Sequence, residues 1–281
     1  MLINLRDMLR YAAEKNVAVP SFNVYNVESV QAVWQAAQKK ESPVIIAFGE
    51  SYDSHMPIES AAALIQSYVR DARLPVVLHL DHCRSQRNIL RALRAGFTSV
   101  MFDASAKPLA ENIEDTKAIV RLAHDLHVSV EGELGYMNEE DGTGSVVPGT
   151  GYTTVTAARQ YAEESGVDAL AIAIGNAHGI YKGTPSLDLD RLDDIRKAVA
   201  VPLVLHGSSG IPVPLLQEAI RRGIRKINVN TEVSTTGIQA ARDFLASHTD
   251  PNTRFEKMTK AAEQAMSQVV ETYMDICALK K

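Results

Sequence analysis

Three apolar runs in this chain each end in groups that can do chemistry. Residues 76–80 lead into Asp81 and His82, residues 169–174 into Gly175-Asn176-Ala177-His178-Gly179, and residues 201–205 into His206-Gly207-Ser208-Ser209-Gly210. Short β-branched runs of this kind read as buried strands. In parallel α/β architectures the C-terminal ends of the strands share one face, and that face holds the active site. Three imidazoles delivered there could meet around one metal ion. Neutral imidazoles with an open fourth position suit catalytic zinc. Asp103 and Glu133 end two further runs and add carboxylates to the same rim, as Asn23 and Asn228 add amides. One histidine at a strand end is more often a hydrogen-bonded rim residue than a ligand. Three of them with two acids favour the metal.

The other histidines read differently. His79 lies two residues before Asp81, shares its face and not that of His82, and is expected to be a packed or hydrogen-bonded barrel residue. His55, His124, His127 and His248 lie in helices or loops away from the strand ends. Cys83 is expected to be a small buried apolar residue.

A second constellation could hold phosphate. Gly179 and Lys182 follow the strand that ends at residue 174. Gly207, Ser208 and Ser209 follow the next, and Asn228, Val229, Asn230 and Thr231 close the last. Barrel enzymes commonly bind phosphate with the loops after strands seven and eight, where backbone N–H groups and small hydroxyls face the anion. Glycines also make ordinary turns, which is the expectation for Gly210 ahead of Ile211-Pro212. An acidic run, residues 138–142, lies in the longest break in periodicity; such a loop is either solvated surface or a lid.

These groups need a scaffold that brings strand ends together. The pattern predicts strands over residues 17–23, 43–48, 76–82, 99–103, 128–133, 168–174, 201–206 and 224–229. Helices are predicted over 5–15, 27–40, 58–72, 85–95, 110–126, 156–165, 189–198 and 214–222. Eight strands alternating with amphipathic helices make a (β/α)8 TIM barrel, with a doubly wound sheet as the rival. Gly96, Gly166 and Gly223 precede strands as helix C-caps. Two further helices, residues 236–246 and 259–276, follow the last strand, with a break at residues 250–252. The chain is expected to be a single domain, 1–281, with extra C-terminal helices.

Composition narrows the function classes. Hydrophobic residues make up 46% and charged residues 22%, ordinary for a globular enzyme with a large core. A net charge of -5 argues against a nucleic-acid partner, because no basic surplus exists to neutralise phosphates. Two cysteines, Cys83 and Cys277, imply no disulfide framework and point to a reducing compartment. The N-terminal residues are not a signal peptide and no apolar run approaches membrane length, so no membrane role and a cytoplasmic location are expected.

The ordered motifs resemble the class II, metal-dependent ketose-bisphosphate aldolases of the fructose- and tagatose-bisphosphate group. The resemblance spans essentially the whole chain. It rests on residues 19–23 (VPSFN), 42–46 (SPVII), 79–82 (HLDH), 130–135 (VEGELG), 173–179 (AIGNAHG), 205–210 (LHGSSG) and 226–232 (KINVNTE). It implies that His82, His178 and His206 ligate catalytic Zn2+, and that Asp103 and Glu133 belong to a second divalent metal position. By the same resemblance Asp81 is the general acid/base, and Gly179, residues 207–209 and residues 228–231 hold dihydroxyacetone phosphate. A sodium or potassium ion (Na+ or K+) near the phosphate, a phosphorylated sugar substrate and a homodimer or homotetramer are also implied.

The chemistry agrees. Retro-aldol cleavage leaves charge on an enediolate, which a metal can stabilise as a Lewis acid. No Schiff-base lysine is needed, and Lys226, the one lysine at a strand end, is expected one position off the inward face. Glu140 in the acidic loop would move the proton on the carbon of dihydroxyacetone phosphate. The chain departs from its relatives at residues 48–51, which replace a serine-led segment. It departs also at Lys260, near a position where relatives offer an arginine to the distal phosphate. The aldehyde half of the substrate can therefore differ, as another stereoisomer or an unphosphorylated aldehyde. A metal-dependent hydrolase would use the same histidines but leaves Asp81 and the phosphate loops unexplained. A non-catalytic phosphosugar-binding barrel has no need of three ligands and Asp81.

Overall fold

The computed structural model describes residues 1–135, 151–179, 181 and 183–280; Glu140 and Lys182 lie outside the described residues. Eight parallel strands pair in sequence order, and the last returns to the first, closing a barrel. They are β1 (Val19–Asn23), β2 (Val44–Gly49), β3 (Val76–Cys83), β4 (Ser99–Phe102), β5 (Ser129–Leu134), β6 (Ala169–Ile172), β7 (Leu203–Leu205) and β8 (Ile224–Val229). Closure is set by β1 against β8, where Val19 pairs with Lys226 and Ser21 with Asn228. The TIM-barrel expectation holds, extra C-terminal helices included.

Ten α-helices are described: α1 (Leu5–Lys15), α2 (Val27–Lys40), α3 (Ile58–Val69), α4 (Gln86–Ala95), α5 (Leu109–His124), α6 (Val155–Ser165), α7 (Leu189–Ala198), α8 (Val213–Arg221), α9 (Thr231–Ser247) and α10 (Phe255–Cys277). Their starts follow local chemistry. Asn4, Ser85, Thr154 and Asp188 cap α1, α4, α6 and α7 through their side chains, and Asn26 with Ser29 forms a capping box on α2. Gly96 and Gly166 end α4 and α6 in the left-handed conformation, as expected. The third expected cap differs: α8 is capped by Arg222, and Gly223 follows with φ +123°. No described helix is long and apolar enough to cross a membrane.

Two apolar clusters divide the work. The larger fills the layer between strands and helices. The smaller lies inside the barrel: Leu5, Met8, Leu9 and Ala12 of α1 meet the inward Val19, Ile45, Val77, Ala171 and Val204. Burying each of the Leu, Met, Val and Ile side chains here contributes about 1.5–3 kcal/mol. The helix therefore seals the N-terminal end of the barrel. Alternation with period two then dictates what stands above this floor. From Val19 it reaches Ser21 and Asn23, from Val77 it reaches His79 and Asp81, and from Val204 it reaches His206.

The differences from expectation are local. The strands expected over 168–174 and 201–206 are shorter, because β6 and β7 share only the pairs Leu170–Leu203 and Ala171–Val204. The helix expected to start at residue 236 starts at Thr231, since the loop after β7 supplies its cap: Glu232 N–H donates to Ser209 Oγ at 3.2 Å.

Candidate active site

Asp81 and His82 are sequence neighbours, and on a regular strand they would face opposite ways. Here the register of β3 against β4 shifts between Leu80 and Cys83, and His82 takes φ +46°. A left-handed non-glycine residue at a bulge re-aims its side chain. Both groups consequently line one cavity of about 350 Å3 at the C-terminal mouth of the barrel.

Three histidines converge there. Ring centroids are 4.9 Å apart for His82 and His178, 4.7 Å for His82 and His206, and 5.9 Å for His178 and His206. One nitrogen from each lies within 4.8 Å of the others, which fits a single metal position. A second set, His82, Asp103 and Glu133, meets the same condition. His82 belongs to both: Nε2 is 3.1 Å from His206 Nδ1, while Nδ1 is 3.4 Å from Asp103 Oδ2 and 3.6 Å from Glu133 Oε2. Glu133 Oε2 is buried and has no hydrogen-bond donor among the described residues. An acceptor left so is costly unless a cation satisfies it, so the residues fit the metal that the donor set implies.

Burial penalises every charge in this cluster, and neighbours decide the outcome. Burial pushes the Glu133 carboxyl up to about 8, reinforced by Asp103 and opposed by His82. Burial lowers His178 to about 3, with the charges of His82 and His206 adding to it. His82 goes the other way: burial is outweighed by Asp81, Asp103 and Glu133, and the ring is raised to about 9. Burial would raise Asp81, but His82, Lys226 and His206 hold it below the usual carboxylate range.

Asp81 is aimed by amides. Asn23 Nδ2 donates to Oδ2 at 2.9 Å, and Asn228 Nδ2 donates to Oδ1 at 3.2 Å. A carboxylate accepting two such bonds is fixed in orientation and stays an acceptor.

Small residues make up another part of the cavity lining: Gly179, Gly207, Ser208, Ser209, Asn230 and Thr231. Gly207 is required: its φ is +58°, and a Cβ there would lie 2.1 Å from the Ala177 carbonyl oxygen. That seam between the loops after β6 and β7 is tied by Tyr181, whose hydroxyl accepts from Ala177 N–H and donates to the Gly207 carbonyl, both at 2.8 Å. Asn176 adds a bond to the His206 carbonyl at 3.1 Å. Ser208 Oγ donates to the Asn228 carbonyl at 2.5 Å, joining the loops after β7 and β8. The N-terminus of α9, from Thr231, opens beside them. Val229 is placed elsewhere, its side chain in the outer core and not at the cavity.

Of the residues singled out in the sequence, Asn23, Asp81, His82, Asp103, Glu133, His178, Asn228 and the small residues above line this cavity, and His206 packs against it. His79 is buried with Nδ1 2.9 Å from Ser99 Oγ, as expected of a barrel residue. Cys83 is buried too, with Sγ 3.2 Å from Glu50 Oε1. Lys226 requires a correction. It was expected off the inward face, yet it is fully buried inside the barrel, with Nζ 2.8 Å from Glu131 Oε2. Alternation from Asn228 back two residues to Lys226, and from Glu133 to Glu131, is the signal that places both inward. Gly49 and Ser51 of the segment singled out at residues 48–51 also line the mouth, and Tyr52, Arg84, Ser105 and Ala106, which were not expected, line it too. Tyr52 accepts from Asn230 Nδ2 at 3.0 Å, so residues 48–52 reach the small-residue wall.

A family model described as fructose-bisphosphate aldolase class-II matches residues 3–281. Among solved structures, the YdjI aldolase of Escherichia coli K12 is 35% identical, with a TM-score of 0.88 over 99% of this chain and 97% of that one. A protein of Coccidioides immitis assigned as a fructose-1,6-biphosphate aldolase is 30% identical, with a TM-score of 0.87 over 98% and 96%. A fructose-bisphosphate aldolase of Campylobacter jejuni, 23% identical with a TM-score of 0.81 over 98% and 95%, shares the fold. With a barrel mouth that gathers three histidines, two acids and an amide-held aspartate, the chain belongs to the class II fructose-bisphosphate aldolase family and is an aldehyde-forming lyase.

Proposed function

We propose that this enzyme reversibly cleaves a ketose 1,6-bisphosphate of the fructose or tagatose type to dihydroxyacetone phosphate and glyceraldehyde 3-phosphate. The observation that carries the reading is the shared cavity. A three-histidine cluster, an oriented carboxylate and a set of glycines and small hydroxyl residues border one cavity. His82, His178 and His206 would hold Zn2+, and Asp103 and Glu133 with His82 would form the second position. Zinc, when bound, supplies a Lewis acid for the charge that develops as the carbon–carbon bond breaks.

The chain's own residues do the rest. Asp81 Oδ atoms, held by Asn23 and Asn228, take the proton from the hydroxyl on the carbon that becomes the aldehyde, and return it in the condensation direction. Gly179, residues 207–209 and the α9 N-terminus bind the phosphate of the ketone half, with donors and helix polarity matched to an anion. Asn230, held by Tyr52, orients that wall. A monovalent cation beside the phosphate, a cytoplasmic location and a homodimer or homotetramer are part of this reading. Oligomerisation is supported by α9, which buries few of its residues and leaves Ile238 and Leu245 exposed, as Phe255 of α10 is.

One observation favours a different aldehyde half as second reading. Lys260, placed by resemblance near the distal phosphate, is engaged by the buried Glu263 at 2.6 Å. The test is zinc-dependent cleavage of fructose 1,6-bisphosphate and tagatose 1,6-bisphosphate with a chelator control. Chelator-sensitive release of dihydroxyacetone phosphate supports the reading and ranks the sugars. Failure with both, while protons on dihydroxyacetone phosphate still exchange with solvent, selects the second reading; no exchange refutes both.

A further inference from the structure

The barrel interior beneath the histidines holds an ion pair that the proposed reaction does not use. Lys226 and Glu131 are fully buried, and Lys226 Nζ lies 2.8 Å from Oε2 and 3.1 Å from Oε1 of Glu131. Taking two charges out of water costs several kcal/mol per ion, and an apolar pair of similar volume is often the more stable filling. Barrel layers are ordinarily filled by branched aliphatics. A charged layer between the apolar floor and the histidines therefore calls for a local reason.

The reason lies in the contact above it. Glu131 Oε1 is 2.9 Å from His206 Nε2. Lys226 already donates to this carboxylate, which keeps it ionised and able only to accept. The His206 proton must then sit on Nε2, leaving the lone pair on Nδ1. Nδ1 is the atom that faces the candidate metal position, 3.1 Å from His82 Nε2 and 3.8 Å from Glu133 Oε2. His79 stands 3.8 Å from both Glu131 Oε2 and Asp81 Oδ1, so the same layer also borders the carboxylate proposed as acid/base.

We propose that Glu131, anchored by Lys226, is a positioning residue that locks His206 in its Nε2–H tautomer and delivers Nδ1 to the metal. The inference rests on the metal reading above. A neutral imidazole without this acceptor divides between two tautomers, only one of which offers Nδ1. Lys226 makes no hydrogen bond to His206 among the described residues, so its influence on the ring passes through the carboxylate. Carboxylate–histidine–metal arrangements are a recurrent way to orient a ligand, and loss of the outer partner weakens metal binding about 10–100-fold.

The test measures zinc affinity by competition with a chromophoric chelator, on metal-stripped protein and its variants, with the Co2+ absorption spectrum as a second readout. Glu131→Gln and Lys226→Met each weaken zinc about 10–100-fold and alter the Co2+ spectrum. The double variant binds no more weakly than Glu131→Gln alone, because both changes act through one carboxylate. Unchanged affinity in Glu131→Gln, or losses that multiply in the double variant, overturns the proposal while leaving the metal reading intact. An unmodified protein that binds no zinc overturns both. A second measurement needs no variant to fold. In unmodified, zinc-loaded protein with 15N-labelled histidine, long-range 1H–15N spectra show His206 protonated at Nε2 and metallated at Nδ1. Metallation at Nε2 refutes the proposal outright.

Discussion

Gly132 separates the two inward glutamates of β5, and replacing it tests how the outer helices support the cavity. Its own face points outward, where a Cβ would lie 2.3 Å from Tyr161 Oη, 2.7 Å from Cε1 and 2.9 Å from Cζ. The hydroxyl contact is about 1 Å short of ordinary van der Waals separation. Tyr161 is fully buried in α6 and shares a hydrogen bond with Thr116 Oγ1 at 3.0 Å, so the ring cannot retreat freely. Overpacking of this kind costs about 1–3 kcal/mol. Stranding the buried hydroxyl costs about 1–3 kcal/mol more. At about 2 °C per kcal/mol for a chain of this length, Gly132→Ala should lower the melting midpoint by roughly 4–12 °C.

Tyr161→Phe supplies the sign test. In the parent it removes the bond to Thr116 and destabilises by about 1 kcal/mol. In the Gly132→Ala background it removes the shortest clash, so the same change stabilises. Thermal unfolding followed by circular dichroism on four metal-stripped proteins measures both effects. A Gly132→Ala midpoint within a degree of the parent, or a Tyr161→Phe effect of the same sign in both backgrounds, would show that contact with Tyr161 is not what requires glycine there.

Asp81→Asn keeps the shape and zinc stoichiometry but should slow cleavage about 10²–10⁴-fold, read as kcat at saturating substrate. Gly207→Ala places a Cβ 2.1 Å from the Ala177 carbonyl; the loop seam opens and KM for the ketose bisphosphate should rise more than kcat falls. Arg91 holds Asp53 with bonds of 2.6 and 2.9 Å, chiefly through these bonds keeping its carboxyl below the ordinary value. A depressed folded-state pKa contributes stability above the unfolded value and loses it as pH falls through the folded one. The melting-point gap between the parent and Arg91→Met should therefore be full at neutral pH and close below about pH 4.

Much of this was legible in the chain because strand ends and alternation are local signals. The runs ending in Asp81–His82, His178 and His206 placed their polar groups at one mouth once eight strands were recognised. Lys226 was misplaced by a single step, although its distance of two from Asn228 decides the matter. Glu131 went unassigned because a charge deep in a barrel has meaning only when its partner on a strand three positions away is known. The start of α9 was missed for a similar reason: its cap, Ser209, comes from a different loop. The mouth residues Tyr52 and Arg84 carry no periodic signature, and tertiary packing alone brings them to the cavity.

The left-handed His82 also limits how this site can be moved or redesigned. Because the irregularity in β3 lets adjacent residues serve one cavity, the proton-handling group and a metal donor sit on consecutive Cα atoms and share one backbone distortion. A regular strand in another scaffold would send them to opposite faces, whatever the rotamers. Transplanting the pair thus means transplanting the kink together with the neighbouring strand that tolerates it. Conversely, Asp81 and His82 are the only residues between Leu80 and Cys83, so a deletion that restored regular pairing there would remove one of the two groups. The unit of inheritance at this site is a piece of backbone, with its side chains attached.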